Sequence, residues 1–328
     1  MDLEGVARMR ESQRAAWRAL LESEGLRPEN EAEYTVLLWD GDTLAATGAR
    51  DGSVLKYIAT AAGHQGEGLS ATVLTELRKE AFSHGIDHLF LYTKPKNRWM
   101  FEDLFFYPVA RTEDVLLMEN RRHGVTDFVD ALARPGVPGV TGAAVMNCDP
   151  FTLGHRYLIE TAAAECERVY VFVLSEDKGR FPAADRLELV RQGTADLPNV
   201  IVCPTGPYLI SRATFPTYFL RDAGAAAEIK CRLDMEIFAA HFAPRLGITR
   251  RYVGTEPLSP VTAAYNRAMQ QFLPRRGIEV REIPRRTAGE EPVSASTVRS
   301  LLGSGQEDRL RDLVPETTLR YLQEKHLI

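Results

Sequence analysis

The feature that most constrains the fold is a strict alternation of short apolar strands and helices in the second half of the chain. The pattern predicts strands over residues 142–147, 169–174 and 200–203, with helices over 153–165 and 183–193. A run of six apolar residues, as at 169–174, is typical of a strand buried on both faces. Because strands separated by helices pair in parallel, the alternation predicts a Rossmann-like parallel sheet covered by helices.

The first third of the chain has a different pattern. Its first 25 residues predict an amphipathic helix, and strands over 34–39, 44–50 and 54–61 follow, joined by Asp-Gly pairs that favour tight turns. An antiparallel meander of this kind, followed by a long helix over about 69–83, predicts an α+β domain.

A segment rich in proline and glycine separates the two patterns. Residues 134–139, R-P-G-V-P-G, contain two prolines and two glycines, which excludes the interior of a helix or of a central strand. We therefore predict a domain boundary here. The α+β domain is expected over residues 1–134 and the α/β domain over residues 140–328.

Composition excludes several classes of protein. The chain has 328 residues, 45% hydrophobic and 26% charged, which fits folded domains rather than disorder. Its formal net charge of -5 argues against a nucleic-acid partner held by a basic surface. Four widely spaced cysteines without a C-x-x-C pair argue against a structural zinc site and favour a reducing, cytoplasmic location. No apolar run approaches the roughly 20 residues that a membrane-spanning helix needs.

The most informative motif lies at residues 146–156, where the first predicted strand of the second domain passes into a helix. Ligands of open parallel sheets bind at the carboxyl ends of strands, and a helix N-terminus offers free N–H groups to phosphate. Pro150 ends the strand, and Gly154 lets a ligand approach the backbone. Thr152 and His155 share one face of the opening turn, so we predict that they bind one phosphate, with a positively charged imidazole stabilising its displacement. Alone, this spacing also fits a helix cap followed by a surface histidine.

This segment resembles the T-x-G-H form of the H-x-G-H signature of nucleotidyltransferases that attack the α-phosphate of ATP. Residues 293–299 are similar to the I-S-S-T-x-x-R motif of the same family, with Ala295 in place of one serine. The resemblance implies catalytic roles for Thr152, His155 and Lys178. It implies contacts with ATP for a larger set: Asn147, Asp149, Pro150, Phe151, Gly154, Arg186, Gly254, Glu256, Ser294, Ser296 and Arg299.

A glycine-rich segment in the first domain resembles the Q/R-x-x-G-x-G/A loop of GNAT acetyltransferases. Residues 61–70 lie between a predicted strand and a long predicted helix, with Ser70 where glycine or alanine is usual. The resemblance implies that Gln65, Gly66 and Gly68 bind a CoA-like arm through backbone N–H groups. Glycine-rich helix starts are also common without a ligand.

The motifs together resemble the citrate lyase ligases along nearly the whole chain, through residues 147–158, 181–190, 210–216 and 256–266. The resemblance implies ATP and acetate as substrates, AMP and diphosphate as products, and acetyl adenylate as intermediate. The implied acceptor is the thiol of a phosphoribosyl-dephospho-CoA group on the acyl carrier subunit of citrate lyase. Mg²⁺ is expected with ATP. Arg212 is a candidate contact for acetate or for the acceptor, because a guanidinium pairs well with a carboxylate.

Three other functions stay open at this point. One is an adenylyltransferase that forms a dinucleotide or a CoA precursor, with a regulatory first domain. Another is a nucleotide sensor joined to a module that docks an acyl carrier. The third is acetylation of amines by the first domain with acetyl-CoA. The chain has no P-loop motif, no G-x-G-x-x-G after a strand and no G-x-S-x-G, which argues against the chemistries that these motifs serve.

Overall fold

The computed structural model describes residues 1–177, 179–209, 217–220, 226–256, 259–289 and 291–328. The chain forms two compact units. The N-terminal unit comprises Met1–Gly124 with Thr214–Leu233, and the C-terminal unit comprises Val125–Ala213 with Asp234–Ile328. The domain division at residues 134–140 stays a prediction. Among the described residues, no helix is both long and apolar enough to cross a membrane.

A seven-stranded mixed sheet forms the N-terminal unit. Its strands are β1 Asp2–Val6, β2 Tyr34–Asp40, β3 Thr43–Asp51, β4 Val54–Thr60, β5 Phe90–Thr93, β6 Tyr107–Arg111 and β7 Leu116–Glu119. They lie in the order β1-β2-β3-β4-β5-β7-β6, and neighbours are antiparallel except for the parallel pair β4 and β5. The accompanying helices are α1 Glu11–Ser23, α2 Leu69–Ser83 and α3 Arg98–Glu102. The predicted α+β architecture is confirmed.

Helix α2 packs on the sheet through its apolar face. Val73, Leu74 and Leu77 are buried in one core cluster with Leu91 of β5. Gly48 of β3 allows the helix to come close, because a Cβ there would lie 2.6 Å from Cγ1 of Val73. This packing fixes where α2 begins, directly after the glycine-rich segment.

The first residues of the chain correct the prediction. Asp2–Val6 form β1, which pairs antiparallel with β2, and the helix begins only at Glu11. The prediction of one amphipathic helix is therefore wrong for the first ten residues. Pairing with a strand far along the chain overrides the local pattern, because strand formation depends strongly on neighbouring strands.

A five-stranded parallel sheet forms the centre of the C-terminal unit. Its strands are β8 Thr141–Met146, β9 Arg168–Val173, β10 Val200–Pro204, β11 Arg250–Gly254 and β12 Glu279–Ile283. They lie in the order β10-β9-β8-β11-β12, and all neighbours are parallel. The chain moves outward from β8 to β10 and then returns to place β11 on the other side of β8. The predicted Rossmann-like sheet is confirmed, with its order reversing between β8 and β11.

Helices cover this sheet, and the central strands are buried on both faces. The helices from residue 124 onward are α4 Gly124–Leu132, α5 Leu153–Glu165, α6 Ala183–Gly193, α7 Ala226–Ile237, α8 Ala243–Leu246, α9 Pro260–Phe272, α10 Ala295–Leu301, α11 Glu307–Arg311 and α12 Glu316–Glu324. A π-helical segment, Phe238–Phe242, follows α7, and two short strands, β13 Thr287–Ala288 and β14 Glu291–Pro292, pair with each other. In β9, Tyr170 and Phe172 alternate with three valines and all are buried, as the apolar run predicts.

Candidate active site

A cavity of about 640 Å³ lies in the C-terminal unit beside β8 and β11, where the strand order reverses. Its walls come from the ends of β8, β11 and β12 and from the first turns of α5, α9 and α10. Parallel sheets of this kind bind their ligands at this switch point. The cavity is therefore the candidate active site.

Many of the residues predicted to act in catalysis or to bind ATP line this cavity. They are Asn147, Thr152, Gly154, His155, Gly254, Glu256, Ser294 and Ser296. A second group of predicted residues belongs to the surrounding structure rather than to the lining: Asp149, Pro150, Phe151, Arg186 and Arg299. Lys178 and Arg212 lie outside the described residues. The structure thus brings the T-x-G-H motif and the motif at 293–299 to one cavity.

Thr152 caps helix α5 and fixes the imidazole of His155. Its Oγ1 accepts a hydrogen bond from the backbone N–H of His155 at 3.3 Å, and its own backbone N–H donates to Nδ1 of His155 at 3.1 Å. Because Nδ1 accepts this bond, it holds a lone pair, and the proton of the neutral ring is inferred to be on Nε2. The cap therefore sets both the tautomer and the orientation of the ring.

The environment of His155 keeps its imidazole neutral. Burial among protein atoms lowers the pKa of His155 to about 4, and the Arg285 guanidinium adds to the shift in the same direction. Phe151 stacks on the ring with the two centroids 6.1 Å apart. The lowered pKa favours the neutral ring at neutral pH, and a positive charge on His155 against a bound phosphate stays a prediction. The Nε2–H remains a hydrogen-bond donor, so His155 can offer phosphate a hydrogen bond rather than a charge.

The starts of helices α5 and α10 approach each other closely. A Cβ at Gly154 would lie 3.1 Å from the carbonyl oxygen of Val293, so even a methyl group is tight at this position. The next residue, Ser294, caps α10, and its Oγ accepts a hydrogen bond from the backbone N–H of Thr297 at 3.1 Å. This approach explains why Ser294 and Ser296 share a cavity with His155.

Asp149 is directed into the protein. It is 6% exposed, and its carboxylate accepts hydrogen bonds from the backbone N–H groups of Arg180 at 3.2 Å and of Phe181 at 2.9 Å. Arg299 pairs with this carboxylate at 3.4 Å and also donates to the carbonyl oxygen of Asp149. The peptide bond between Asp149 and Pro150 is cis. Asp149 therefore anchors the segment between β9 and α6, and its contact with ATP stays a prediction.

Arg186 of α6 is a positioning residue. Its side chain is fully buried, and its guanidinium donates to the carbonyl oxygen of Asn147 at 2.8 Å and to Oδ1 of Asn147 at 2.6 Å. It also donates to the carbonyl oxygens of Phe181, at 3.1 Å, and of Glu176. Arg186 thereby holds Asn147 in the cavity wall from behind.

Sequence reasoning missed several polar residues of the cavity. They are Arg251, Ser259, Thr262, Tyr265, Asn266, Arg285 and Arg286. Arg285 donates to the carbonyl oxygen of Thr255 at 2.8 Å and pairs with Glu256. A usable signal existed for Arg285, since it follows the end of β12 and the carboxyl ends of parallel strands meet at one edge. Arg251 lies inside a strand and carried no such signal.

A second cavity, also of about 640 Å³, lies within the N-terminal unit. Gln65, Gly66 and Gly68 line it, as do residues of β4 and β5. Gly66 and Gly68 have φ values of +88° and +75°, a left-handed conformation that glycine adopts without strain. Gly68 is also the N-cap residue of α2. The three residues predicted to bind a CoA-like arm are thus together at a helix start beside a cavity.

The parallel sheet and the cavity at its switch point define the C-terminal unit as a Rossmann-like α/β unit of the kind that binds nucleotides. The family model described as the citrate lyase ligase C-terminal domain matches residues 141–322, more than half of the chain. A protein of Klebsiella pneumoniae named "[Citrate [pro-3S]-lyase] ligase" is 42% identical over 302 residues, covering 90% of this chain and 88% of that protein. A protein of the same name from Escherichia coli (strain K12) is 39% identical over 310 residues, covering 92% and 88%. The chain belongs to the citrate lyase ligase family, which confirms the resemblance seen in the motifs and the enzyme class, a ligase.

Solved structures are also similar to part of the chain. Escherichia coli ElaA has a TM-score of 0.33 and 14% identity, covering 37% of this chain and 100% of that one. An acyl-CoA N-acyltransferase from Pseudomonas aeruginosa has a TM-score of 0.31 and 14% identity, covering 37% and 99%.

Proposed function

We propose that the chain uses ATP and acetate to acetylate the thiol of the acyl carrier subunit of citrate lyase, releasing AMP and diphosphate. The name shared by its relatives supports this reaction. The observation that carries the proposal is the position of the His155 imidazole in a cavity at the switch point of the sheet. The helix cap holds its Nδ1, so the Nε2–H takes no part in the contacts with Thr152. The alternative of a plain adenylyltransferase is not favoured, because the relatives are named as ligases.

The reaction divides into two balanced steps. In the first, an oxygen of acetate attacks the α-phosphorus, the bond from that phosphorus to the bridging oxygen breaks, and diphosphate leaves. The product is acetyl adenylate. In the second, the thiol sulfur attacks the acetyl carbonyl carbon, the bond to the AMP oxygen breaks, and the thiol proton passes to the medium.

His155 and Thr152 act in the first of these steps. The α-phosphate gains negative charge as acetate attacks, and the Nε2–H of His155 donates a hydrogen bond to one of its oxygens. A donor fixed in advance stabilises such a transition state without reorganisation. Thr152 contributes by holding Nδ1 through its backbone N–H at 3.1 Å.

The remaining groups hold the nucleotide. Ser294 and Ser296 bind the departing diphosphate, with Lys178 and with Arg299, whose guanidinium is 3.2 Å from Oγ of Ser296. Glu256 borders the ribose or the adenine together with Gly254. Its carboxylate is fixed by the backbone N–H of Ser259 at 3.1 Å and by Arg285.

Mg²⁺ enters this proposal as part of the nucleotide substrate. Among the residues that the structure describes, no group of three or more His, Cys, Asp or Glu side chains could hold a metal ion. A magnesium ion that arrives with ATP needs no such group, because the phosphates and water supply most of its ligands. We assign the ion to the phosphates of ATP and derive no step from it.

The N-terminal cavity is proposed to hold the acceptor arm. Its glycine-rich helix start exposes backbone N–H groups, which suit the diphosphate of a phosphoribosyl-dephospho-CoA group. We place the reaction in the cytoplasm, supported by four cysteines that form no disulfide within the part of the chain that the structure describes.

Release of diphosphate from ATP tests the proposal. We expect release to depend on acetate, and to continue over many turnovers only when a deacetylated citrate lyase acyl carrier is present. His155→Ala should lower the rate about 100-fold or more, the typical cost of losing one transition-state donor. His241→Ala, on the π-helical segment, is the matched control and should keep the rate.

Three results would contradict the proposal. Diphosphate release that needs a second nucleotide but no acetate would indicate an adenylyltransferase. Full activity of His155→Ala would show that the fixed imidazole is not part of the reaction. Acetylation of amines with acetyl-CoA in the absence of ATP would assign the chemistry to the N-terminal unit instead.

A further inference from the structure

Arg251 is a buried cation in the wall of the candidate active site. It is the second residue of β11, is 5% exposed and lines the cavity. Its Nε has no hydrogen-bond partner among the residues that the structure describes. The preceding residue, Arg250, is different, because it pairs with Glu279 at 2.8 Å.

The surroundings of Arg251 stabilise its charge without saturating its donors. The guanidinium carbon lies 4.4 Å from the centre of the Phe238 ring, a cation–π contact. Asp234 and Tyr265 favour the charged form, and Tyr265 donates its hydroxyl proton to Asp234 at 2.5 Å. Burial acts in the opposite direction and lowers the pKa of Arg251, but an arginine remains protonated in proteins.

A buried guanidinium with an unsatisfied donor is costly unless an anion completes it. Its planar fork matches the two oxygens of a carboxylate better than any other common anion of similar size. We propose that Arg251 binds the carboxylate of the acid substrate, acetate, in this cavity. This inference rests on the proposed function for the identity of the acid and assigns it a binding residue.

The position of Arg251 favours a carboxylate over a phosphate of ATP. In the sheet Arg251 faces Ala143 of β8, three residues before Met146 at the strand end. At about 3.3 Å per residue, its Cα is about 10 Å below the edge where the phosphate-binding helix starts, so an acetate bound at the tip of the extended side chain lies between Arg251 and the α-phosphate. Met269 also lines the cavity and is buried. It supplies an apolar surface that suits the methyl group of a short acid.

Binding of [1-¹³C]acetate, followed by NMR, tests the inference directly. We compare the full-length protein with Arg251→Lys, which keeps a charge but loses the fork, and with Arg251→Met. Arg250→Lys, one residue away on the same strand, is the matched control. The Kd for acetate is expected to rise about 10- to 100-fold in both Arg251 variants, the usual effect of losing a charge-assisted pair. It should change less than about threefold in the control, and the Kd for ATP should change little in all variants.

A second measurement needs no variant. In protein labelled with ¹⁵N-arginine, one Nε–H resonance that is protected from exchange with water, as expected for the buried Nε of Arg251, should shift as acetate is added. The measurement on unaltered protein decides the matter if both variants fail to fold. A spectrum in which no arginine Nε–H resonance responds to acetate would overturn the inference.

The remaining outcomes also decide between the proposals. Unchanged acetate binding in folded Arg251→Lys, or a wild-type protein that binds no acetate, overturns the inference. So does a loss confined to ATP binding, which would assign the guanidinium to a phosphate. If acetate binding requires Arg251 but acetate-dependent diphosphate release is absent, the inference stands and the proposed ligase reaction fails.

Discussion

Replacing Arg186 by methionine tests how the wall of the active site is held. The side chain is fully buried, and it donates to the carbonyl oxygens of Asn147, Phe181 and Glu176 and to Oδ1 of Asn147. Methionine has similar length but no donor, so three backbone acceptors lose a partner at once.

The magnitude follows from these contacts. A buried acceptor left without its partner costs about 1–3 kcal/mol. Three such losses are partly offset because the buried charge and its desolvation are removed as well. We therefore expect the C-terminal unit to lose about 3–5 kcal/mol of unfolding free energy. Arg191→Met on the same helix is the control, since Arg191 is half exposed and its ion pair with Glu188 is 4.0 Å long, a contact worth less than about 1 kcal/mol.

The assay must report on the correct unit. The three tryptophans, Trp17, Trp39 and Trp99, all lie in the N-terminal unit, so tryptophan fluorescence does not follow the C-terminal sheet. Hydrogen exchange of peptides from β8 and α6 does. Faster exchange of both peptides in Arg186→Met, with a weaker Kd for ATP, is the expected result. Wild-type exchange in these peptides would refute the assignment of Arg186 as a positioning residue.

Three further predictions concern other parts of the molecule. Gly154→Ala places a methyl group 3.1 Å from the carbonyl oxygen of Val293. This overpacking should lower the free energy of unfolding by about 1–3 kcal/mol and slow acetate-dependent diphosphate release; full activity would contradict the prediction. Gly68→Ala and Gly85→Ala replace glycines with the same φ of +75° and should each cost about 1 kcal/mol, but Gly68→Ala alone should raise the KM for the acyl carrier. An NMR titration should find that His155 titrates near pH 4. A bound phosphate should raise this pKa, so the protein should take up a proton when it binds ATP at pH 5. Calorimetry in two buffers that shows no proton uptake would refute this.

The parts of the fold that follow from local pattern were predicted from the sequence. The buried run in β9 and the strand-to-helix motif at Thr152 need only the spacing of apolar residues and the chemistry of a helix start. The strand β1 was missed because it forms only against β2, a distant partner. Arg251 was missed for a related reason, since its burial depends on Phe238 of the π-helical segment and on Tyr265 of α9. Contacts of this kind form only in the folded chain, so the sequence around the residue does not predict them.

In the structure, the positive charges that line the active site belong to arginines rather than to a histidine. The sequence predicted a cationic His155, but burial and Arg285 hold the pKa of His155 at about 4. Arg251 and Arg285 line the same cavity, and arginine keeps its charge at every physiological pH. Electrostatic stabilisation by these two residues should therefore be the same at pH 6 and pH 8. A catalytic cation with the ordinary histidine pKa of about 6.5 would lose its charge between those values. The rate of acetate-dependent diphosphate release should therefore not fall from pH 6 to pH 8 through loss of a proton from His155, because the neutral Nε2–H donor is present throughout this range. A fall that occurs in the wild-type protein and is absent in His155→Asn would refute this reasoning.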